Sequence, residues 1–198
     1  AKAHNENKFS DEIISINGIS KDGCIRPETS IESMANLKPA FDKEGVVTAA
    51  TSSPLTDGAA AVIVCSEDYA KKNNLGIMAY IRGMAISGCS PEIMGIGPVL
   101  SSQKALQRAG IKLEDVDIIE MNEAFAAQSL ACVKELGIDM SKLNLHGGAI
   151  SMGHPLGASG ARITGKAASL LNETGKRYAL STMCVGGGQG CATVLERA

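Results

Sequence analysis

Apolar residues follow two rhythms along the second half of this chain. Short apolar runs predict strands over Ala79–Ser87, Val116–Met121, Leu143–His146, Tyr178–Cys184 and Cys191–Glu196. Between them, apolar positions three and four apart predict helices. One starts at Pro98 and is stopped by Gly110. A second begins after Asn122 with Ala126, Leu130 and Val133 on one face, and a third carries Ile163, Ala167, Leu170 and Leu171 and closes at Gly175. The order βαβαβαββ implies an α/β layer with a largely parallel sheet. The link between the last two strands is too short for a parallel crossover, so those two form an antiparallel hairpin. The first half is less regular. Asp11–Ile16 predicts a short strand, followed by turns at Asn17-Gly18 and Asp22-Gly23. Thr29–Leu37 predicts a short helix, Ala59–Cys65 a continuous apolar strand, and Ser66 the N-cap of a helix reaching about Asn74.

Glycine interrupts this pattern unevenly. Residues 147–190 hold 11 of the chain's 22 glycines. Glycine lets the backbone turn sharply or approach a neighbour closely, at an entropic cost. Two of the glycine-rich stretches each present one reactive side chain: His154 in Gly147-Gly148-Ala149-Ile150-Ser151-Met152-Gly153-His154-Pro155, and Cys184 in Cys184-Val185-Gly186-Gly187-Gly188-Gln189-Gly190. Tight turns between buried strands explain some of these glycines. Two loops leaving strand ends with a His and a Cys point further, to an active site. A neutral His154 imidazole can donate to an oxyanion or remove a proton, although a histidine in isolation reads more readily as packing. The N–H groups of the glycines after Cys184 can lower the thiol pKa and hold a negative oxygen. Asn122 lies between a strand and a helix, where an Asn serves as an N-cap or faces the strand-end pocket. Glu123 beside it serves the helix dipole or buttresses the site.

Composition narrows the classes. The 198 residues carry a net charge of −2 and no basic run, which excludes an electrostatic footprint for nucleic acid or an anionic membrane. No apolar stretch approaches the roughly 20 residues of a membrane span. The six cysteines contain no Cys-x-x-Cys pair. They read as reduced thiols in a cytoplasm-like compartment. Neither metal-ligand spacing nor a phosphate-binding glycine motif occurs.

The segments Asn122-Glu123-Ala124-Phe125, Gly153-His154-Pro155 and Cys184-Val185-Gly186-Gly187-Gly188, in that order, resemble the carboxyl half of the thiolases, which make or cleave 3-ketoacyl-coenzyme A. The resemblance extends upstream through Ile25–Thr29, Leu37–Phe41 and Thr48–Ala61 and covers essentially the whole chain. It implies a thiolase-like layered domain over 78–198, the last strand and helix of the amino-terminal domain over 57–77, and the end of the loop domain over 1–56. It also implies roles. Cys184 would be the acid/base. His154 and a water held by Asn122 would form one oxyanion hole, and the Gly186 N–H would contribute to another. Phe125 would line the pocket, and Ser53 would hold the pantetheine arm. No resident cofactor is implied, since coenzyme A and acyl-CoA act as substrates; a homo-oligomer is implied.

The family's acyl-accepting cysteine, in a Cys-x-Ser-Gly context of the amino-terminal half, has no counterpart in these residues. Cys89 falls where the family has no nucleophile. Residues 1–198 alone are therefore expected to lack turnover. Gln189 and the Met121-Asn122-Glu123 context resemble degradative 3-ketoacyl-CoA thiolases more than acetoacetyl-CoA-forming ones. A half that binds acyl-CoA or a partner without turnover is the competing class. Two positions depart from the family pattern: His146 stands where Asn usually precedes Gly-Gly, and Ala50 replaces a common Gly.

Overall fold

Where strong start and stop signals flank the apolar periodicity, the chain forms helices. The computed structural model describes residues 1–198. In chain order the elements are α1 (Lys2–Asn5), α2 (Ile31–Ala35), α3 (Glu67–Lys72), β1 (Ala79–Gly88), α4 (Gly97–Ala109), β2 (Ile118–Met121), α5 (Ala126–Leu136), α6 (Ala149–Met152), α7 (Leu156–Thr174), β3 (Tyr178–Val185) and β4 (Gln189–Arg197). Ser30 and Ser66 accept backbone N–H groups at the starts of α2 and α3. Gly110, Gly137 and Gly175 close α4, α5 and α7 in the left-handed conformation, with φ of 69°, 73° and 67°.

The four strands form one sheet in the order β1-β4-β3-β2. Only β2 and β3 run parallel; β3–β4 and β4–β1 are antiparallel. The largely parallel sheet expected above is therefore corrected. The glycine turn folds β4 back on β3, and β4 then presents a free edge that β1 takes in the antiparallel sense. The strand expected over Leu143–His146 does not form either; a single bridge joins Leu143 to Ile119. Asn144 adopts φ of +45°, which stops an extended run after one contact.

Two further expected strands are absent. Residues 11–16 form no strand, and only one bridge closes Ile16 on Ile19 around the Asn17-Gly18 turn. Residues 59–65 belong to no sheet, and Ile63 is 87% exposed. An apolar strand needs a neighbouring strand for its N–H and C=O groups, and this chain supplies none there.

The sheet is covered on both faces. On one side α4 and α5 pack Ala105, Leu106 and Cys132 against Ile119, Met121, Leu180 and Val194. On the other, α7 packs Ala167, Leu170 and Leu171 against Ile118, Ala179 and Leu195. Helix α5 buries Ser129 and Cys132, whereas Leu130 is 56% exposed. The face predicted from Ala126, Leu130 and Val133 is thus rotated. The partner of α5 is the short 3₁₀ turn Pro91–Ile96, where the Cys132 thiol donates to the Gly95 carbonyl at 3.3 Å. Gly95 leaves room there for the Gln128 side chain.

The hairpin meets the start of α4 through bare backbone. A Cβ on Gly190 would overlap the Gly97 carbonyl, and one on Gly97 would overlap the Gln189 carbonyl. Gly157, in the first turn of α7, faces open space. In the intact protein Gly190→Ala is expected to lower unfolding stability by about 1–3 kcal/mol. Gly157→Ala is expected to leave it unchanged or raise it by up to about 1 kcal/mol. Denaturant midpoints check both.

Candidate active site

The end of β2 is held by β3 on one edge and by side chains on the other. The parallel ladder runs one step past β2, with the Asn122 N–H donating to the Thr182 carbonyl at 3.0 Å. On the other edge, Asn144 stands in for a strand. Its Oδ1 accepts from the Met121 N–H at 2.8 Å, and its Nδ2 donates to the Met121 carbonyl at 2.9 Å. The same Nδ2 reaches Glu123 Oε1 at 2.7 Å, and the second Glu123 oxygen accepts from the Ile150 N–H at 3.1 Å. The carboxylate rests on Gly148, where any Cβ would overlap it. Glu123 therefore ties the β2 end to the loop that carries His154, which is the buttressing alternative. Asn144 was not singled out by its sequence; an Asn at the end of a short apolar run before a Gly-Gly turn was the available signal.

His154 is fixed from the opposite side by residues 52–58. Its N–H donates to the Pro54 carbonyl at 3.1 Å. Thr56 fills the space where Gly153, with φ of +96°, lacks a Cβ, and Pro155 packs on Gly58 in the same way. This strap is anchored at its start by a bridge between Ser52 and Phe125. The Ser53 N–H and hydroxyl both donate to the Ala124 carbonyl, at 3.0 and 3.2 Å. Ser53 thus holds the strap to the segment containing Phe125. The Phe125 ring meets Phe41 edge-on with centroids 6.4 Å apart.

The His154 imidazole lies between two buried polar side chains. Nδ1 is 2.6 Å from Ser159 Oγ, and Nε2 is 3.3 Å from Asn122 Nδ2. Burial, then the Arg162 charge, pushes the imidazole pKa below its ordinary value, so the ring is neutral at neutral pH. Asn122 Oδ1 and Thr56 Oγ1 are buried without a hydrogen-bond partner. A cleft lined by Leu55, Thr56, Asp57, His154 and Leu156 gives access to the ring.

Cys184 stands one residue before the end of β3, opposite Gly190, and is buried. It makes no hydrogen bond to His154 or Asn122; the β2–β3 ladder, which brings Asn122 alongside Thr182, puts Cys184 two residues further along the neighbouring strand. Burial, reinforced by Cys132 and Cys89, pushes the thiol up to about 11. The expectation that clustered glycine N–H groups lower it is corrected, because Gly186 and Gly187 are exposed and desolvation dominates. Gly188 is spent on packing: its carbonyl accepts from the Cys89 N–H at 2.7 Å, and a Cβ there would overlap Cys89. The Cys89 thiol points to the carbonyls of Ile93 and Met94. A protonated thiol suits proton delivery rather than thiolate attack.

Comparison with known proteins settles the lineage. The family profile "Thiolase, C-terminal domain" matches residues 75–197, and "Thiolase, N-terminal domain" matches residues 1–68. The chain belongs to the thiolase family. It is 51% identical over 213 residues to a 3-ketoacyl-CoA thiolase of Vibrio vulnificus, covering 100% of this chain and 55% of that protein. It is 53% identical over 206 residues to one of Shewanella loihica, covering 98% and 53%. Human mitochondrial 3-ketoacyl-CoA thiolase, in complex with CoA, superimposes with a TM-score of 0.97 at 46% identity, over 100% of this chain and 51% of that one. The Bacillus anthracis acetyl-CoA acetyltransferase gives 0.94 at 41%, over 100% and 52%. The thiolase chain described here spans about half the length of these relatives, and its fold is the thiolase fold. No helix is long and apolar enough to cross a membrane.

A buried acid lies two residues upstream of Asn122. Glu120, on β2, is buried on the α7 side, and burial pushes its carboxyl up to about 8 against the opposing charges of Arg162 and Lys166. Glu120 Oε1 and Arg162 Nε have no hydrogen-bond partner. The His146 departure lies in a different network: it packs edge-on against Phe9 and stands 3.7 Å from Glu173.

Two predictions follow from these carboxyl groups. Because the folded Glu120 binds its proton more tightly than the unfolded chain does, its contribution to stability is fully present below about pH 4.5 and is lost as pH rises through about 8. Glu120→Gln should remove that loss, raising Tm relative to the wild type at pH 8 but not at pH 4. Glu123→Gln should lower stability by about 1–3 kcal/mol, since an NH₂ replaces an acceptor that faces two donors. An undiminished denaturant midpoint in that variant would show that the clamp carries no load.

Proposed function

We propose that the full-length protein is an acyl-CoA C-acyltransferase that cleaves 3-ketoacyl-CoA with coenzyme A to acetyl-CoA and a shortened acyl-CoA, and runs the reverse Claisen condensation. The observation that carries this reading is the Asn122–His154–Ser159 line at the edge of a cleft, on a sheet whose neighbouring strand β3 carries the buried thiol of Cys184. Relatives about half identical to this chain are named 3-ketoacyl-CoA thiolases, and a similar solved structure holds CoA. The fuller length of those relatives supplies the rest of the site. The extended apolar residues 59–65 are assigned to the last strand of the amino-terminal domain, whose sheet pairs with them in the whole protein. Residues 1–56 close the loop domain, and 78–198 form the carboxyl-terminal domain.

In this proposal a cysteine thiolate of the amino-terminal half adds to the 3-keto carbon. The C2–C3 bond then breaks and leaves the enolate of acetyl-CoA. The enolate oxygen takes hydrogen bonds from His154 and from a water held by Asn122, and its carbon takes the Cys184 proton. The Cys184 thiolate next removes the proton of the incoming coenzyme A thiol. That thiol attacks the acyl-enzyme, whose carbonyl rests on the Gly186 N–H, and acyl-CoA leaves as the first thiolate is restored. The high Cys184 pKa makes the thiol a reluctant anion and, once deprotonated, a strong base for coenzyme A. Phe125 lines the acyl pocket, and Ser53 contributes to the pantetheine channel through the strap it anchors. Formation of acetoacetyl-CoA from acetyl-CoA is the second reading, favoured by the likeness to the acetyl-CoA acetyltransferase. We assign the working protein to a homo-oligomer in the cytoplasm, acting in fatty acid oxidation.

A chain-length series of 3-ketoacyl-CoA substrates with the full-length protein tests the reading. Ping-pong turnover of long and short substrates is expected; activity confined to acetoacetyl-CoA would select the second reading. Cys184→Ala and His154→Ala should each lower kcat by a factor of about 100 or more. Wild-type turnover by either variant would overturn the assignment.

A further inference from the structure

The reaction asks one thing of His154 that its ring alone does not secure. Donation to an oxyanion from Nε2 requires the neutral tautomer with hydrogen on Nε2, which leaves Nδ1 bare. We propose that the buried hydroxyl of Ser159 fixes this tautomer by donating its proton to Nδ1, making Ser159 a positioning residue of the site. The inference rests on the acyltransferase reading above.

The geometry allows two arrangements, because the hydroxyl has one proton and two acceptors within reach. Ser159 Oγ lies 3.0 Å from the Pro155 carbonyl and 2.6 Å from His154 Nδ1. If the proton goes to Pro155, Nδ1 must carry hydrogen and Nε2 becomes an acceptor, useless to an oxyanion. The Pro155 carbonyl, however, already receives the N–H groups of Ala158 and Ser159, at 2.9 and 3.0 Å. Two donors occupy both lone pairs of a carbonyl oxygen, so a third adds little there. Nδ1 has Ser159 as its only hydrogen-bond partner, at the shorter distance. The hydroxyl proton therefore belongs to Nδ1.

The other end of the ring can accommodate this. Asn122 Nδ2 faces Nε2 at 3.3 Å; with hydrogen on Nε2 the amide turns over, so that Oδ1 accepts from the ring and Nδ2 takes the place where Oδ1 had no partner. The amide protons are then free to donate to a water or a substrate oxygen. At 3.3 Å the ring–amide contact is long, so an oxyanion can take the Nε2 hydrogen at little cost. Ser159 and Asn122 are both fully buried.

The experiment is ¹⁵N NMR of the histidine-labelled intact protein without substrate, with the His154 signals assigned by their loss in His154→Gln. The wild type should show hydrogen on Nε2 and bare Nδ1. Ser159→Ala should show the Nδ1–H form or a mixture, with kcat down about 10- to 100-fold and KM within about twofold. Hydrogen on Nδ1 in the wild type, or an unchanged kcat in Ser159→Ala, would overturn the proposal. If the wild type turns over no 3-ketoacyl-CoA at all, the acyltransferase reading fails while the spectra still decide the tautomer.

Discussion

Asn144 closes the unpaired edge of β2 at Met121 with one side chain. Strand ends lose their hydrogen bonds where the neighbouring strand stops, and a buried peptide group without a partner is costly. Here an amide oxygen and an amide nitrogen reproduce both bonds of a strand neighbour on Met121. The spare proton of that amide goes to Glu123, whose second oxygen takes the Ile150 N–H. The position of Asn122, the course of the His154 loop and the placement of the imidazole all depend on this chain of bonds. It ties the end of β2 to the first turn of α6 through two side chains.

Glycine serves two purposes in this architecture. Gly97, Gly190 and Gly188 let the β3–β4 hairpin lie directly on the backbone that leads into α4. Gly148 and Gly153 let a carboxylate and a threonine pack where side chains would otherwise stand. In both places the missing Cβ shortens the distance between backbones that bear reactive groups. The cost in chain entropy is offset by burial of the flanking apolar residues.

Desolvation governs the electrostatics. It raises the Cys184 thiol to about 11 and the Glu120 carboxyl to about 8, and it lowers the His154 imidazole. Each group is therefore neutral at rest. Neutral groups in a desolvated site carry no counterions to shed when a ligand enters. The strap of residues 52–58 adds to the exclusion of water by covering the His154 loop through Pro54, Thr56 and Gly58.

Helix ends, the hairpin and the family of this chain follow from local chemistry: Ser30 and Ser66 as caps, Gly110, Gly137 and Gly175 as stops, and three short motifs around Asn122, His154 and Cys184. Those features act within a few residues, so their signals stand in the sequence. Sheet order, the buried face of α5, the absence of a strand at residues 143–146 and the thiol's raised pKa do not reduce to local rules. Periodicity says that a segment has an apolar side but not which neighbour will cover it, which is how Leu130 came to be exposed and Ser129 buried. Likewise the partners of His154 come from positions 122 and 159, and their effect depends on distances of a few tenths of an ångström and on the exclusion of water. Such quantities exist only after distant parts of the chain have packed together.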